Sequence, residues 1–156
     1  MKKTILFIAG ILFMNVSFSQ DYSIEEVEIV QNLFGAEKKA IIENNIDLSG
    51  VDSEAFWSIY QEYETSRKEL GKEKIELLHK YTSKKGAITN AQADNLMKVA
   101  VPLREREDKL ILNYTKKIRK ATSSLVSVQF YQIEHYLSDA IRFSVLNNID
   151  FIQDKK

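Results

Sequence analysis

The chain has 156 residues, 44% of them hydrophobic and 28% charged, enough for one domain with one core. It contains no cysteine, which excludes a disulfide scaffold and a lipid-attachment cysteine, so stability must come from packing and from any partner subunit. Its 22 basic and 22 acidic side chains cancel, which excludes the overall basic excess of a typical nucleic-acid-binding domain.

Lys2 and Lys3, the apolar run from Ile5 to Met14, and the small residues Ser17 and Ser19 read as a secretory signal over residues 1–19, cleaved before Gln20. Ten residues of helix cover about 15 Å, half of a bilayer's hydrocarbon core, which favours a cleaved signal over a membrane anchor. The expectation is a single helical domain over residues 20–156, exported to the periplasm without stable membrane insertion. Within it, charge is divided unevenly. Asp21 to Glu64 holds 11 acidic and 2 basic residues, whereas Thr65 to Lys120 holds 15 basic and 7 acidic ones. Such asymmetry fits either a binding face or attraction between the two halves.

The first helix is predicted from about Ser23 to Asn45, with Val27, Val30, Phe34, Ile41 and Ile42 roughly on one side. Ser49 then reads as a cap, accepting from the amide of Asp52, for a second helix that runs to about Lys84. Phe56, Tyr60, Tyr63, Arg67, Leu70, Lys74, Leu77 and Tyr81 follow its three- and four-residue steps, with Trp57 and Leu78 widening the stripe and Gly71 weakening it. Phe56, Trp57, Tyr60 and Tyr63 can be a packed face or a client-binding patch, and this spacing favours packing; Phe130-Tyr131 is equally ambiguous.

Ile88-Thr89-Asn90-Ala91-Gln92 is a capping box, with Thr89 as cap and Gln92 reaching back. Leu96, Val99, Leu103, Leu110, Tyr114, Ile118 and Ala121 follow at helical spacing, and Pro102 predicts a bend or a break near Lys98–Pro102. A fourth helix starts after Thr122-Ser123-Ser124 and reaches Asn147, with Phe130, Ile133, Leu137, Ile141 and Val145 inward. Phe151 and Ile152 form an apolar tail that can cover the core or a neighbouring subunit. The fold class is therefore all-α, four mainly long and bent helices in an elongated arrangement.

Residues with catalytic chemistry are sparse. His79 and His135 have no metal-ligand spacing, and Met97 is the one methionine beyond the signal segment, so no metal site is expected. No nucleophile elbow or glycine-rich phosphate loop occurs, and no catalytic residue or cofactor is expected. Asn113-Tyr114-Thr115 matches a glycosylation acceptor by coincidence on a predicted helix. Export and the acidic first half argue against a nucleic-acid partner.

Ile88-Thr89-Asn90-Ala91-Gln92 resembles the L-T-x-x-Q signature of Spy/CpxP-like periplasmic proteins, and Leu125-Val126-Ser127-Val128-Gln129 looks like a second copy with Val126 in the threonine position. Leu48-Ser49 with Glu54-Ala55-Phe56-Trp57 and Tyr60 also resembles related helical proteins, so the likeness covers approximately Leu48 to Arg142. It implies a cradle-shaped homodimer that binds unfolded or misfolded envelope proteins without nucleotide during stress; the alternative is docking on one envelope sensor protein. Under that resemblance Lys68, Lys72, Lys116, Lys117, Arg119 and Lys120 are the candidate client-binding residues. Ser49, Ile88, Thr89, Gln92, Leu125 and Gln129 are then motif residues with a structural capping role.

Overall fold

The computed structural model describes residues 24–82, 87–147 and 151–154; the expected signal segment and the side chains of Val27 and Val30 lie outside the described residues. The described chain forms four helices, α1 (Ile24–Asn45), α2 (Ser53–Thr82), α3 (Asn90–Ala121) and α4 (Ser124–Asn147). Two short strands, β1 (Ala87–Ile88) and β2 (Gln153–Asp154), pair in parallel. This all-α class agrees with the helical periodicity. None of the helices is long and apolar enough to cross a membrane.

Local chemistry sets the boundaries. Beyond α1, the amide of Ser49 donates to Oδ1 of Asp47 at 2.8 Å, and Gly50 adopts φ 76°, a left-handed turn that disfavours any side chain. Hydrogen bonds from Ser49 hold the Asp47 carboxyl below the usual range. The turn delays the next helix, and Asp52 rather than Ser49 caps α2, accepting from the amide of Ala55 at 2.9 Å. The assignment of Ser49 as cap is corrected accordingly. Thr89 does cap α3: its hydroxyl accepts from the Gln92 amide at 3.3 Å, while Gln92 Oε1 accepts from the Thr89 amide at 3.0 Å. Ile88, beside it, is 4% exposed.

The second motif copy does not cap anything. Ser123 accepts from the amide of Val126 at 3.1 Å and starts α4, so Leu125 and Gln129 lie inside the helix. Leu125 is 69% exposed, and Gln129 buries its Oε1 without a hydrogen-bond partner among the described residues. The physical reason is Val126, which has no hydroxyl with which to accept from the backbone.

α3 runs unbroken through Pro102. Proline removes the donor that the carbonyl of Lys98 would use, but Lys98 and Pro102 are exposed, where water can serve that carbonyl. α2 likewise continues through Gly71.

Cross-helix contacts set the topology. Tyr81 reaches Gln92, Arg106 binds Glu73, and Lys117 binds Glu62, so each step back along α2 meets a step forward along α3. α2 and α3 are an antiparallel hairpin. Ser138 donates to Glu107 at 3.0 Å, which sets α4 antiparallel to α3. α1 lies in the groove between α2 and α4, because its inward stripe of Lys38, Ile42 and Ile46 reaches both. All four helices contribute to one core.

The core consists of Ile42, Ile46, Phe56, Tyr60, Tyr63, Ile111, Ile118, Val126 and Phe130. Phe56, Tyr60 and Tyr63 are thus packed, while Trp57 is half-buried at the edge. Tyr63 meets Phe130 edge-on at 5.2 Å and Tyr114 at 5.4 Å, geometries favoured by the ring quadrupoles. Phe130 points inward and Tyr131 is 42% exposed, which resolves that pair. α3 packs against both α2 and α4, so its buried strip is broader than one seam: Ile111 is 1% exposed although the spacing singled out Leu110.

Of the two roles expected for the tail, covering the core is the one it does not take. β2 lies beside β1, yet Phe151 is 94% and Ile152 55% exposed, so neither side chain covers the core. Two rungs are too short to leave an alternation in the sequence.

Two glycines should respond oppositely to alanine. A methyl at Gly35 would sit 3.5 Å from Glu64 Oε2 and 3.8 Å from Lys68 Cε, ordinary contact within a helix. Gly35→Ala should therefore leave stability unchanged or raise it by about 0.5–1 kcal/mol. Gly50→Ala should lower it by about 1 kcal/mol through the positive φ. Urea denaturation of both variants checks the pair.

Candidate functional site

The inward stripe of α1 runs Phe34, Lys38, Ile42, Ile46 in four-residue steps, which places a lysine where an apolar side chain is normal. On α2 the stripe continues from Phe56, Tyr60 and Tyr63 to Glu64 and Arg67. On α4 Glu134 sits between Phe130 and Leu137, 3% exposed. Packing brings these charges together. Lys38 Nζ, 1% exposed, lies 2.6 Å from Glu64 Oε1 and 2.6 Å from Glu134 Oε2. Tyr63 donates its hydroxyl to Glu134 Oε2 at 2.5 Å, and Arg67 donates through Nε and Nη2 to both oxygens of Glu64 at 2.9 Å. The Lys38 ammonium also stands 4.6 Å from the Tyr63 ring centroid, and the Arg67 guanidinium 5.0 Å from that of Phe34.

Two cations and two carboxylates make a neutral cluster, the condition under which buried charge is tolerated. Burial pushes the Glu64 carboxyl up, but Lys38 and Arg67 outweigh it and hold the carboxyl below the usual range. Burial, reinforced by Glu64 and Glu134, pushes the Tyr60 phenol far up; burial, reinforced first by Glu134, does the same for Tyr63. Glu134 Oε1 and the Tyr60 hydroxyl are buried without hydrogen-bond partners among the described residues. Each carboxylate faces a cation, so the arrangement is a lock joining α1, α2 and α4.

An open pocket of about 590 Å³ lies beside the end of α1, lined by residues 43–48, Trp57 and Gln129. It holds carboxylates and amides but no histidine. Among the described residues no three His, Cys, Asp or Glu side chains gather as a metal site. His135 lies tilted against Tyr131 with ring centroids 4.3 Å apart, and His79 is half-buried.

The six candidate cations do not converge on one patch. Lys68 lies beside α1, with its Cε close to Gly35, and Lys72 is exposed one turn further along α2. Lys117 faces the other side of α2, where it binds Glu62 at 2.9 Å and stands 4.4 Å from the Tyr114 ring centroid. The hydrogen bond from Lys117 to Glu62 raises the lysine's pKa. Lys116, Arg119 and Lys120 are exposed around the outer half of α3. At 100° per residue, Lys116 and Lys120 extend an outer stripe of Lys98, Val101, Glu105, Lys109 and Leu112. Val101 and Leu112 are each 44% exposed on it, and Lys109 pairs with Glu105 at 3.6 Å.

The ion cluster carried a sequence signal that the apolar stripes obscured. Lys38 is four residues from both Phe34 and Ile42, and Glu134 is four from Phe130 and three from Leu137. A charge in register with an apolar stripe needs a partner, but only packing shows which one.

Removing one member should cost more than removing a surface pair. Lys38→Met leaves two carboxylates facing each other in the core and should destabilise the protein by about 3–5 kcal/mol. Tyr63→Phe loses a hydrogen bond to a charged group, about 1.5–3 kcal/mol, whereas Tyr60→Phe removes an unsatisfied hydroxyl and should leave stability unchanged or raised. Chemical denaturation separates these outcomes.

Stability should also have two pH limits. Glu64 is held down only in the folded protein, so its contribution is complete above its ordinary pKa of 4.5 and is lost as pH falls below that. Tyr60 and Tyr63 are raised only when folded, so their contribution is complete below pH 10.0 and is lost as pH rises further. Thermal melting across pH 3–11 checks both edges.

Compared with protein-family models, curated proteins and solved structures, the chain matches none of them.

Proposed function

We propose that this is an exported, nucleotide-independent binding protein that holds unfolded or aggregation-prone chains along the outer face of α3. The observation that carries this reading is the composition of that face. Val101 and Leu112, each 44% exposed, alternate with Lys98, Lys109, Lys116 and Lys120, with Glu105 as the one acidic member of the stripe. An unfolded chain presents scattered apolar side chains and mixed charges. A long stripe of separated apolar contacts and mobile cations suits weak, many-point attachment to such a chain better than recognition of one folded epitope. The export signal read over residues 1–19 and the Thr89–Gln92 motif support the periplasmic setting.

This placement narrows the cationic candidates. Lys116 and Lys120 lie on the capture stripe with Arg119 at its edge, while Lys117 is engaged by Glu62 and serves the α2–α3 seam. Lys68 and Lys72 lie on α2, away from the stripe.

Purified protein should suppress aggregation of several unrelated denatured clients at stoichiometric amounts without ATP. Lys116→Glu with Lys120→Glu should weaken suppression several-fold, and Lys72→Glu should leave it unchanged. Suppression should fall near 1 M salt, where the Debye length is about 3 Å. Unaltered aggregation across all clients sinks the reading. Crosslinking in cells that captures one stoichiometric envelope protein, instead of many, replaces it with the sensor-docking alternative.

A further inference from the structure

We infer that the open pocket beside the end of α1 is a binding site for a guanidinium group, carried on an arginine side chain or on a small free molecule. None of its lining residues is on α3, so this site and the client-binding stripe can fail independently.

The pocket is rich in acceptors because α1 ends there. Glu43, Asn44, Asn45 and Asp47 border it, and its lining includes no lysine or arginine. Asn44 and Asn45 turn their side-chain nitrogens back along α1, donating to the carbonyls of Ala40 and Ile41 at 2.8 and 2.7 Å. A carboxamide held in this way turns its oxygen away from its own helix, as an acceptor. The Ile46 amide satisfies the carbonyl of Ile42. Beyond such a bond, the last carbonyls of a helix have no intrahelical donor and form the negative end of its dipole, which favours a cation. From α4, Gln129 borders the pocket with its Oε1 buried and without a hydrogen-bond partner among the described residues.

One cation already sits at the edge. The Lys39 ammonium lies 3.7 Å from Glu43 Oε1 and 5.2 Å from the Trp57 ring centroid. Carboxylate and indole thus receive a positive charge in the folded protein. The hold is loose. A separation of 3.7 Å exceeds a hydrogen bond, and the side chains of Lys39 and Glu43 are 56% and 51% exposed. A better-fitting cation can displace Lys39 into solvent.

Three properties select a guanidinium. It carries five donors in one plane, against three on an ammonium, and so can serve several acceptors at once. Its flat face stacks on an aromatic ring, and Trp57 is steadied by edge contacts with Phe56 and Tyr60 at 5.1 and 5.5 Å. The volume, about 590 Å³, is that of a small-molecule site, and Leu48 supplies an apolar wall for a methylene stem.

Trp57 is the one tryptophan of the chain, so its fluorescence reports on this site directly. Ethylguanidinium chloride, titrated to about 50 mM and far below denaturing concentrations, should give a saturable change. The dissociation constant should be on the order of 1–10 mM, the scale of one small cation. Sodium chloride at equal ionic strength should give no change. Lys39→Gln vacates the edge and should tighten binding about threefold. Glu43→Gln should weaken it about fivefold. Both side chains are exposed, so circular dichroism and melting temperature should stay as they are. Calorimetry on the same samples detects any binding that leaves the indole emission unaltered.

A second ligand identifies the source of the group. Glycyl-arginyl-glycine blocked at both ends, binding several-fold more tightly than ethylguanidinium, assigns the site to arginine side chains of a polypeptide. Equal or weaker binding assigns it to a free guanidinium compound. No saturable signal by either method overturns the inference, as does binding that Glu43→Gln leaves unchanged or that Lys39→Gln fails to tighten. A blocked lysine peptide that binds as tightly as its arginine counterpart overturns the choice of guanidinium.

Discussion

Lys38 brings a full positive charge into the core on a helix that has few other holds on the protein. The cost of removing an ammonium from water is several kcal/mol, and here two carboxylates from two different helices offset it. That division is what gives the cluster its structural effect. Glu64 alone would tie α1 to α2, and Glu134 alone would tie it to α4. Together they require α1 to lie in the groove between them. Arg67 binds both oxygens of Glu64 and Tyr63 binds Oε2 of Glu134, so the interaction is directional where apolar packing is not. Ile42 and Ile46 supply burial energy for α1, but several registers of an apolar stripe would do so. Only one places Lys38 between both acids.

The same neutralisation runs outward along the hairpin. The acidic first third and the basic middle of the chain meet where Glu62 binds Lys117. Further along the seam, Arg106 grips Glu73 with two nitrogens and Lys74 binds Glu107 at 2.5 Å. The Glu62–Lys117 and Glu73–Arg106 pairs are exposed and fix register more than they stabilise, while Lys74–Glu107 is half-buried. Part of the charge asymmetry is therefore spent on holding helices together, and part of what remains lies on the outer side of α3. There the lysines share a stripe with Val101 and Leu112.

Two outward faces consequently differ in kind. The α3 stripe mixes lysines with Val101 and Leu112, suited to flexible and variable ligands. The outer side of α4 exposes Leu125, Val128, Phe143 and Leu146 and carries little charge.

Periodicity, capping residues and the scarcity of glycine and proline were enough to determine four helices, their approximate limits and most of their inward residues. These are properties of neighbouring positions on one helix, and Thr89 with Gln92 shows how local the information is: donor and acceptor are three residues apart. Ser49 failed as a cap because the left-handed turn at Gly50 intervenes, a backbone conformation that its serine could not reveal. Leu125 and Gln129 failed because a likeness in letters did not supply the hydroxyl that capping needs. Lys38, Glu64 and Glu134 lie 26 and 70 residues apart, so their partnership depended on how helices pack and only the tertiary structure decided it. It decided likewise that six cations divide among separate sides, since a charge in sequence has a helix face but no neighbour until another helix is laid against it.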